Sequence, residues 1–236
     1  MPTALPTTGR RPARFYFSLR SPYSWLALHD LLRDRPDAAD RLEWRPFWEP
    51  DALSGKLLAE AGGAFPYTPM SRAKQFYILR DVRRLTAERG LAVTWPVDGS
   101  PWWEVPHLAW FVAERHGLGR AWIERVSRAR WQEGRDICDP AVVGELAGEL
   151  GIDPGEARGA VDDPDVRDMG VRALLDVDAD GVFGVPFFTR GRDAYWGLDR
   201  LPAFLAALPV PEPDGAAELV AAGLGAVDAG HAGGCG

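Results

Sequence analysis

The chain has 236 residues, 46% of them hydrophobic and 26% charged, and a formal net charge of −7. That length can bury a sizeable core, the composition is globular, and the acidic balance argues against nonspecific binding to nucleic acid. No apolar run reaches the ~18–20 residues of a membrane span, and MPTALPTTGRRPAR lacks the apolar segment of a secretory leader, so a cytoplasmic protein is expected.

Residues 1–13 are Pro- and Thr-rich and are expected to be disordered. RFYFSL, residues 14–19, alternates aromatic side chains and reads as a strand. At Ser21-Pro22 the pattern changes. Serine is a favoured N-cap and proline suits the first helical position, so a helix is predicted to about residue 35, with Leu28, Leu31 and Leu32 on one face. RLEWRPF, 41–47, reads as a second strand, and the three elements fit a right-handed βαβ unit with parallel strands. From about 50 to 178 the patterns are helical. LLAEA is short, SRAKQFYILRDVRRLTAERG is long and stops at Gly90, and VPHLAWFVAERHG stops at Gly117. GRAWIERVSRARWQEG follows, and Asp139-Pro140, Asp153-Pro154 and Asp163-Pro164 mark three further helix starts. Strand character returns in GVFGVPFFTRG and DAYWG, a hairpin turning near Gly191-Arg192, before a closing helix, LDRLPAFLAAL. The order is α/β: a thioredoxin-like domain, 14–48 and 179–209, interrupted by a large all-helical insertion, 49–178. The Ala-, Gly- and Pro-rich residues 210–236 form a flexible C-terminal tail in this reading.

The side chains narrow the chemistry. A disulfide between Cys138 and Cys235 is not expected in a reducing compartment, and Cys138, in RDICDP, reads as a buried, inert thiol. The four histidines show no ligand spacing, so no metal is expected. Ten tryptophans are either core or the walls of an aromatic cavity for a flat ligand. Trp48, Trp102 and Trp103 are the candidate walls, with Tyr23. The turn Ser21-Pro22-Tyr23-Ser24 stands where some enzymes with this strand-to-helix turn carry C-x-x-C. Without two thiols, disulfide exchange lacks its reactants. Read from the residues alone, Ser21 is a helix cap, a role compatible with that of a catalytic hydroxyl.

FYFSLRSPYSWLAL, SRAKQFYILRDVRR, WQEGRDICDP and GVFGVPFF with YWGLDRL lie in order across about residues 14–208. Together they resemble the 2-hydroxychromene-2-carboxylate isomerases, which belong with the kappa-class glutathione transferases in the DsbA-like branch of the thioredoxin superfamily. The resemblance implies that Ser21 places its hydroxyl beside the thiol of bound glutathione. A helix N-terminus and a hydroxyl donor both favour a thiolate over a thiol. It also implies a cis Pro186, with the backbone of Val185 pairing with the cysteinyl unit of glutathione; the alternative is a proline that merely edges a strand. Asp199 matches an aspartate near the γ-glutamyl amino group, or is simply a first-turn acid. Lys74 matches a lysine near the substrate or the glycyl carboxylate, or belongs to a solvated helix face. Leu198 stands where kappa-class members have a hydroxyl, and Gly62-Gly63 lies where relatives carry an asparagine. Both departures remove polar contacts to a peptide-like thiol, so the expected cofactor is glutathione, another low-molecular-weight thiol, or none.

The implied activity is cis-trans isomerisation of a C=C bond in a conjugated, aromatic, unsaturated acid. The alternatives are a kappa-like thiol transferase, a thiol-independent isomerase of a conjugated acyl chain in secondary metabolism, and a noncatalytic binding protein. A small-molecule substrate is expected, with neither nucleic acid nor membrane as partner. Relatives are often homodimers, so a homodimer is among the expected states.

Overall fold

Arg14–Phe17 forms β1, an inner strand of a four-stranded sheet ordered β2-β1-β3-β4. β2 (Glu43–Pro46) pairs with it in parallel, β3 (Phe187–Arg190) antiparallel, and β4 (Asp193–Trp196) completes the predicted hairpin with β3. The computed structural model describes residues 12–66, 69–99 and 101–209; of the disorder expected over 1–13, residues 1–11 lie outside the described residues, as does the tail from Val210 with Cys235, while the Ala13 carbonyl accepts from the Glu43 N–H at 2.9 Å.

Alternation along β1 sends Phe15 and Phe17 to one face of the sheet and Tyr16 to the other. On the first face Phe15 stacks on Phe188 at 4.7 Å, and Phe188 on Phe204 at 4.8 Å. Such ring pairs each add about 0.5–1.5 kcal/mol beyond the area they bury. On the second face Tyr16 packs with Val177, Val182 and Phe187, and its hydroxyl donates to Asp180 at 2.7 Å.

β1 stops at Phe17, two residues short of the prediction, because side chains intercept the next two backbone donors. The Ser18 N–H donates to Ser24 Oγ at 3.2 Å, and the Leu19 N–H to His107 Nε2 at 3.1 Å. The strand ladder therefore has nothing to continue with.

α1 (Pro22–Asp34) starts where Ser21 predicts, its hydroxyl accepting from the Ser24 N–H at 3.2 Å. A four-residue α2 (Pro36–Ala39) was not anticipated. The insertion supplies α3 (Ala52–Glu60), α4 (Arg72–Glu88), α5 (Glu104–Arg115), α6 (Gly119–Trp131), α7 (Pro140–Glu149), α8 (Pro154–Gly159) and α9 (Pro164–Ala179). Asp51, Ser71, Asp139, Asp153 and Asp163 each cap a helix through a side-chain oxygen. Gly90 and Gly117 take the left-handed φ, +65° and +70°, that ends α4 and α5. The closing helix is split: a 3-10 turn, Leu198–Arg200, precedes α10 (Leu201–Ala207). Gly197, at φ +103°, makes the bend, and its N–H donates to the Pro186 carbonyl at 2.9 Å.

One cluster of buried side chains runs from Phe15 and Leu31 through Trp48 and Leu108 to Val143 and Leu146. The insertion thus shares its core with the sheet. The boundary expected at 178/179 falls inside α9, whose last turn places Val177 against Tyr16. No helix among the described residues is long and apolar enough to cross a membrane.

Candidate active site

A groove of about 990 Å³ opens between α1, α4, the Val185-Pro186 loop and the start of α10. Of the candidates named from sequence, Tyr23, Val185, Pro186, Leu198 and Asp199 line it. The Val185-Pro186 bond is cis. Side chains not singled out from sequence complete the lining, among them Asp30, Arg33, Tyr77, Asp81, Arg89 and Trp196.

Ser21 caps the helix that forms one wall, but it is not among the residues lining the groove. Its oxygen accepts from the Ser24 N–H, which leaves the hydroxyl proton available to a further acceptor. The preceding loop is fixed from the insertion. His107 is fully buried; its Nδ1 lies 2.7 Å from the Trp103 carbonyl, and its Nε2 accepts from the Leu19 N–H. A carbonyl only accepts and an N–H only donates, so His107 is neutral with its proton on Nδ1. Burial drives its pKa down to about 3.

Two charge clusters shape the groove. Asp30 receives Arg89 through both oxygens, at 2.6 to 3.1 Å, while Arg33 is bidentate on its neighbour Asp34 at 2.6 and 2.7 Å. Asp81 accepts from Tyr23 at 2.8 Å, Tyr77 at 3.3 Å and Arg84 at 2.8 Å. Burial first, and the bond to Asp81 second, raise the Tyr23 phenol well above its ordinary pKa. A signal for this second cluster was present: Lys74, Tyr77 and Asp81 fall at i, i+3 and i+7 on α4, one helical face.

The expected tryptophan walls are elsewhere. Trp48 and Trp103 are 2% and 5% exposed and belong to the core. Trp48 stacks on the His107 ring at 5.4 Å. Trp103 carries the guanidinium carbons of Arg20 and Arg130 over its ring at 5.2 and 5.0 Å. Trp102 is 39% exposed and donates its indole N–H to Asp51 at 3.1 Å, outside the groove. The bland alternative, packing, holds for Trp48 and Trp103, and the aromatic lining comes from Tyr23, Tyr77 and Trp196 instead. Lys74 is exposed on α4 and is likewise not a lining residue.

Cys138 is buried, and burial pushes its thiol up to about 12, so it offers no thiolate. Among the described residues no group of three or more His, Cys, Asp or Glu side chains is placed to hold a metal ion.

The residues fit a small thiol in part. Ser21 has a donor to give, Val185 and its cis neighbour line the groove, and Asp199 offers a carboxylate to an ammonium group. The carboxylate ends of glutathione find less, because the groove's arginines, Arg33 and Arg89, are already matched by Asp34 and Asp30.

The profile of the DSBA-like thioredoxin domain matches residues 14–209. A 2-hydroxychromene-2-carboxylate isomerase of Sphingobium xenophagum is 27% identical over 193 residues, 79% of this chain and 92% of that protein. A solved 2-hydroxychromene-2-carboxylate isomerase superposes with a TM-score of 0.65 at 21% identity, covering 83% of this chain and 93% of its own. The cytosolic disulfide reductase DsbM of Pseudomonas aeruginosa, solved with glutathione, superposes with a TM-score of 0.53 at 20% identity, covering 82% and 96%.

Proposed function

This chain belongs to the DSBA-like thioredoxin domain family, and within it we propose that it is an isomerase of a C=C bond in a conjugated, aromatic, unsaturated acid. The observation that carries the reading is the alignment with a named isomerase over nearly that protein's whole length. The site's own chemistry supports it. The α1 turn offers a hydroxyl and no sulfur, since Ser21-Pro22-Tyr23-Ser24 stands in place of the C-x-x-C that disulfide exchange uses there.

A low-molecular-weight thiol, glutathione or a relative, supplies when bound a sulfur nucleophile whose reversible addition β to a carbonyl turns the double bond into a rotatable single bond. The chain's residues hold and orient. The Ser21 O–H would be available to donate to the thiol's sulfur, since its oxygen accepts from the Ser24 N–H. The α1 N-terminus adds a partial positive charge there. Val185 and Asp199, both lining the groove, would hold the thiol's peptide unit and its ammonium group. Tyr23, Tyr77 and Trp196 offer ring surface to a flat conjugated substrate.

Ultraviolet spectra of unsaturated aryl acids, recorded with and without glutathione, test the reading. A spectral change with no gain of mass is the expected result. A product heavier by the thiol would make the protein a kappa-like transferase, and turnover independent of added thiol would favour the thiol-free isomerase. Ser21→Ala is expected to slow turnover about ten- to a thousand-fold, the scale of one lost donor at a developing charge. Unchanged turnover in that variant would remove Ser21 from the mechanism. The reading places the enzyme in the cytoplasm as a homodimer. The apolar side chains of Met70, Phe76 and Leu79, all exposed, support self-association, and sedimentation equilibrium reads it.

A further inference from the structure

Asp81 binds two phenols that face the same groove. Tyr23 lies 2.8 Å from one carboxylate oxygen and Tyr77 3.3 Å from the other, and Tyr23, Tyr77 and Asp81 all line the cavity. A carboxylate can only accept, so each phenol gives its single proton to Asp81. What remains on both phenol oxygens is lone pairs. Arg84, 2.8 Å from Asp81, secures the carboxylate from outside the groove. The lining arginines do not reverse this polarity, because Arg89 is held by Asp30 and Arg33 by Asp34.

We propose that Asp81 is a positioning residue that fixes Tyr23 and Tyr77 as hydrogen-bond acceptors, so that the groove selects unsaturated substrates carrying a hydroxyl donor over otherwise identical compounds whose donor is masked. The inference rests on the groove being the substrate site. What it adds is the set of residues that would read a substrate hydroxyl, Tyr23 and Tyr77 held by Asp81. A role confined to tethering α4 to α1 would weaken all ligands alike. Positioning by Asp81 instead changes the ratio between ligands.

The test is titration calorimetry on the full chain with benzylideneacetones, neutral conjugated enones, bearing a hydroxyl or a methoxy group at the ortho, meta or para position. At one ring position or more the hydroxyl compound is expected to bind about 3- to 10-fold tighter, the scale of one neutral hydrogen bond. Tyr23→Phe, which removes one acceptor, is expected to shrink that ratio. In Asp81→Asn the side-chain amide can donate to the Tyr23 oxygen, which frees the phenol proton for the ligand, and the ratio is expected to fall toward or below one. Should Asp81→Asn fail to fold, Tyr23→Phe decides alone. Equal or weaker binding of every hydroxyl compound, no binding by any of them, or an unchanged ratio in the folded variants overturns the proposal. Selective binding of the hydroxyl compounds, together with unchanged spectra of the unsaturated aryl acids with and without glutathione, would remove the isomerase reading and leave this one standing.

Discussion

Trp48→Ala is expected to destabilise the protein by about 3–5 kcal/mol, the range for deleting a large buried side chain. Trp48 is 2% exposed and stacks within 5.4 Å of the His107 ring. Opposite it, α9 comes so close that a Cβ added to Gly170 would sit 2.7 Å from Leu108 Cδ2 and 3.4 Å from Trp48 Cη2. A helix held this tightly cannot readily collapse into the space an alanine leaves, which puts the cost toward the upper end. The variant also strips a donor from Glu104, a buried carboxylate that takes the Trp48 indole N–H at 3.3 Å and the Asp51 N–H at 2.5 Å. For a chain of this size the loss corresponds to a fall in melting temperature of about 6–20 °C, read by circular dichroism. A tryptophan walling a substrate site would behave oppositely, losing turnover at nearly unchanged melting temperature, and that outcome would return Trp48 to the pocket.

Trp48 also shows where sequence reasoning reaches and where it stops. The element order, the three Asp-Pro helix starts, the Ser21 cap and the glycine stops were legible, because caps, turns and periodicity are local chemistry. Burial is not local. An aromatic residue carries the same signal whether it packs a core or faces a ligand, so Trp48 and Trp103 were assigned to the wrong surface. The end of β1 was missed for a similar reason: Leu19 lost its place in the strand to His107, 88 residues away. Asp81 went unnoticed because its meaning depends on Tyr23, which arrives from another helix. Ser21, Val185 and Pro186 were found because a linear motif carries them, although the structure sets Ser21 outside the groove lining.

Acidification is expected to destabilise the fold through His107, beginning well above the carboxylate range. The unfolded chain takes up a proton at this residue below its ordinary value of 6.5, whereas in the folded chain burial holds the pKa at about 3. The folded pKa is depressed, so the stability given by neutral His107 is fully present above pH 6.5 and is lost as pH falls toward 3. The slope is at most about 1.4 kcal/mol per pH unit, so no more than about 2 kcal/mol disappears between pH 6.5 and 5. Burial raises the Glu104 carboxyl, which works in the other direction, since the folded chain keeps a proton that the unfolded chain gives up above 4.5. Burial would also raise Asp51, but hydrogen bonds from Ser54 and Trp102 and the charge of Arg167 outweigh it, and the stability Asp51 contributes is lost only as pH falls below its ordinary value of 3.8. His107→Gln isolates the effect, because an amide can donate to the Trp103 carbonyl and accept from the Leu19 N–H without titrating. Urea unfolding at about pH 7, 6 and 5 should give a falling stability for the natural chain, and a variant profile that lacks this fall. An equal slope in both would assign the acid sensitivity to other groups. The same proton also bears on the site. Once Nε2 is protonated it can no longer accept from Leu19, two residues before Ser21, so the helix-capping turn loses its anchor to the insertion. Activity is therefore expected to decline with acid alongside stability in the natural chain, and to be less sensitive to acid in His107→Gln.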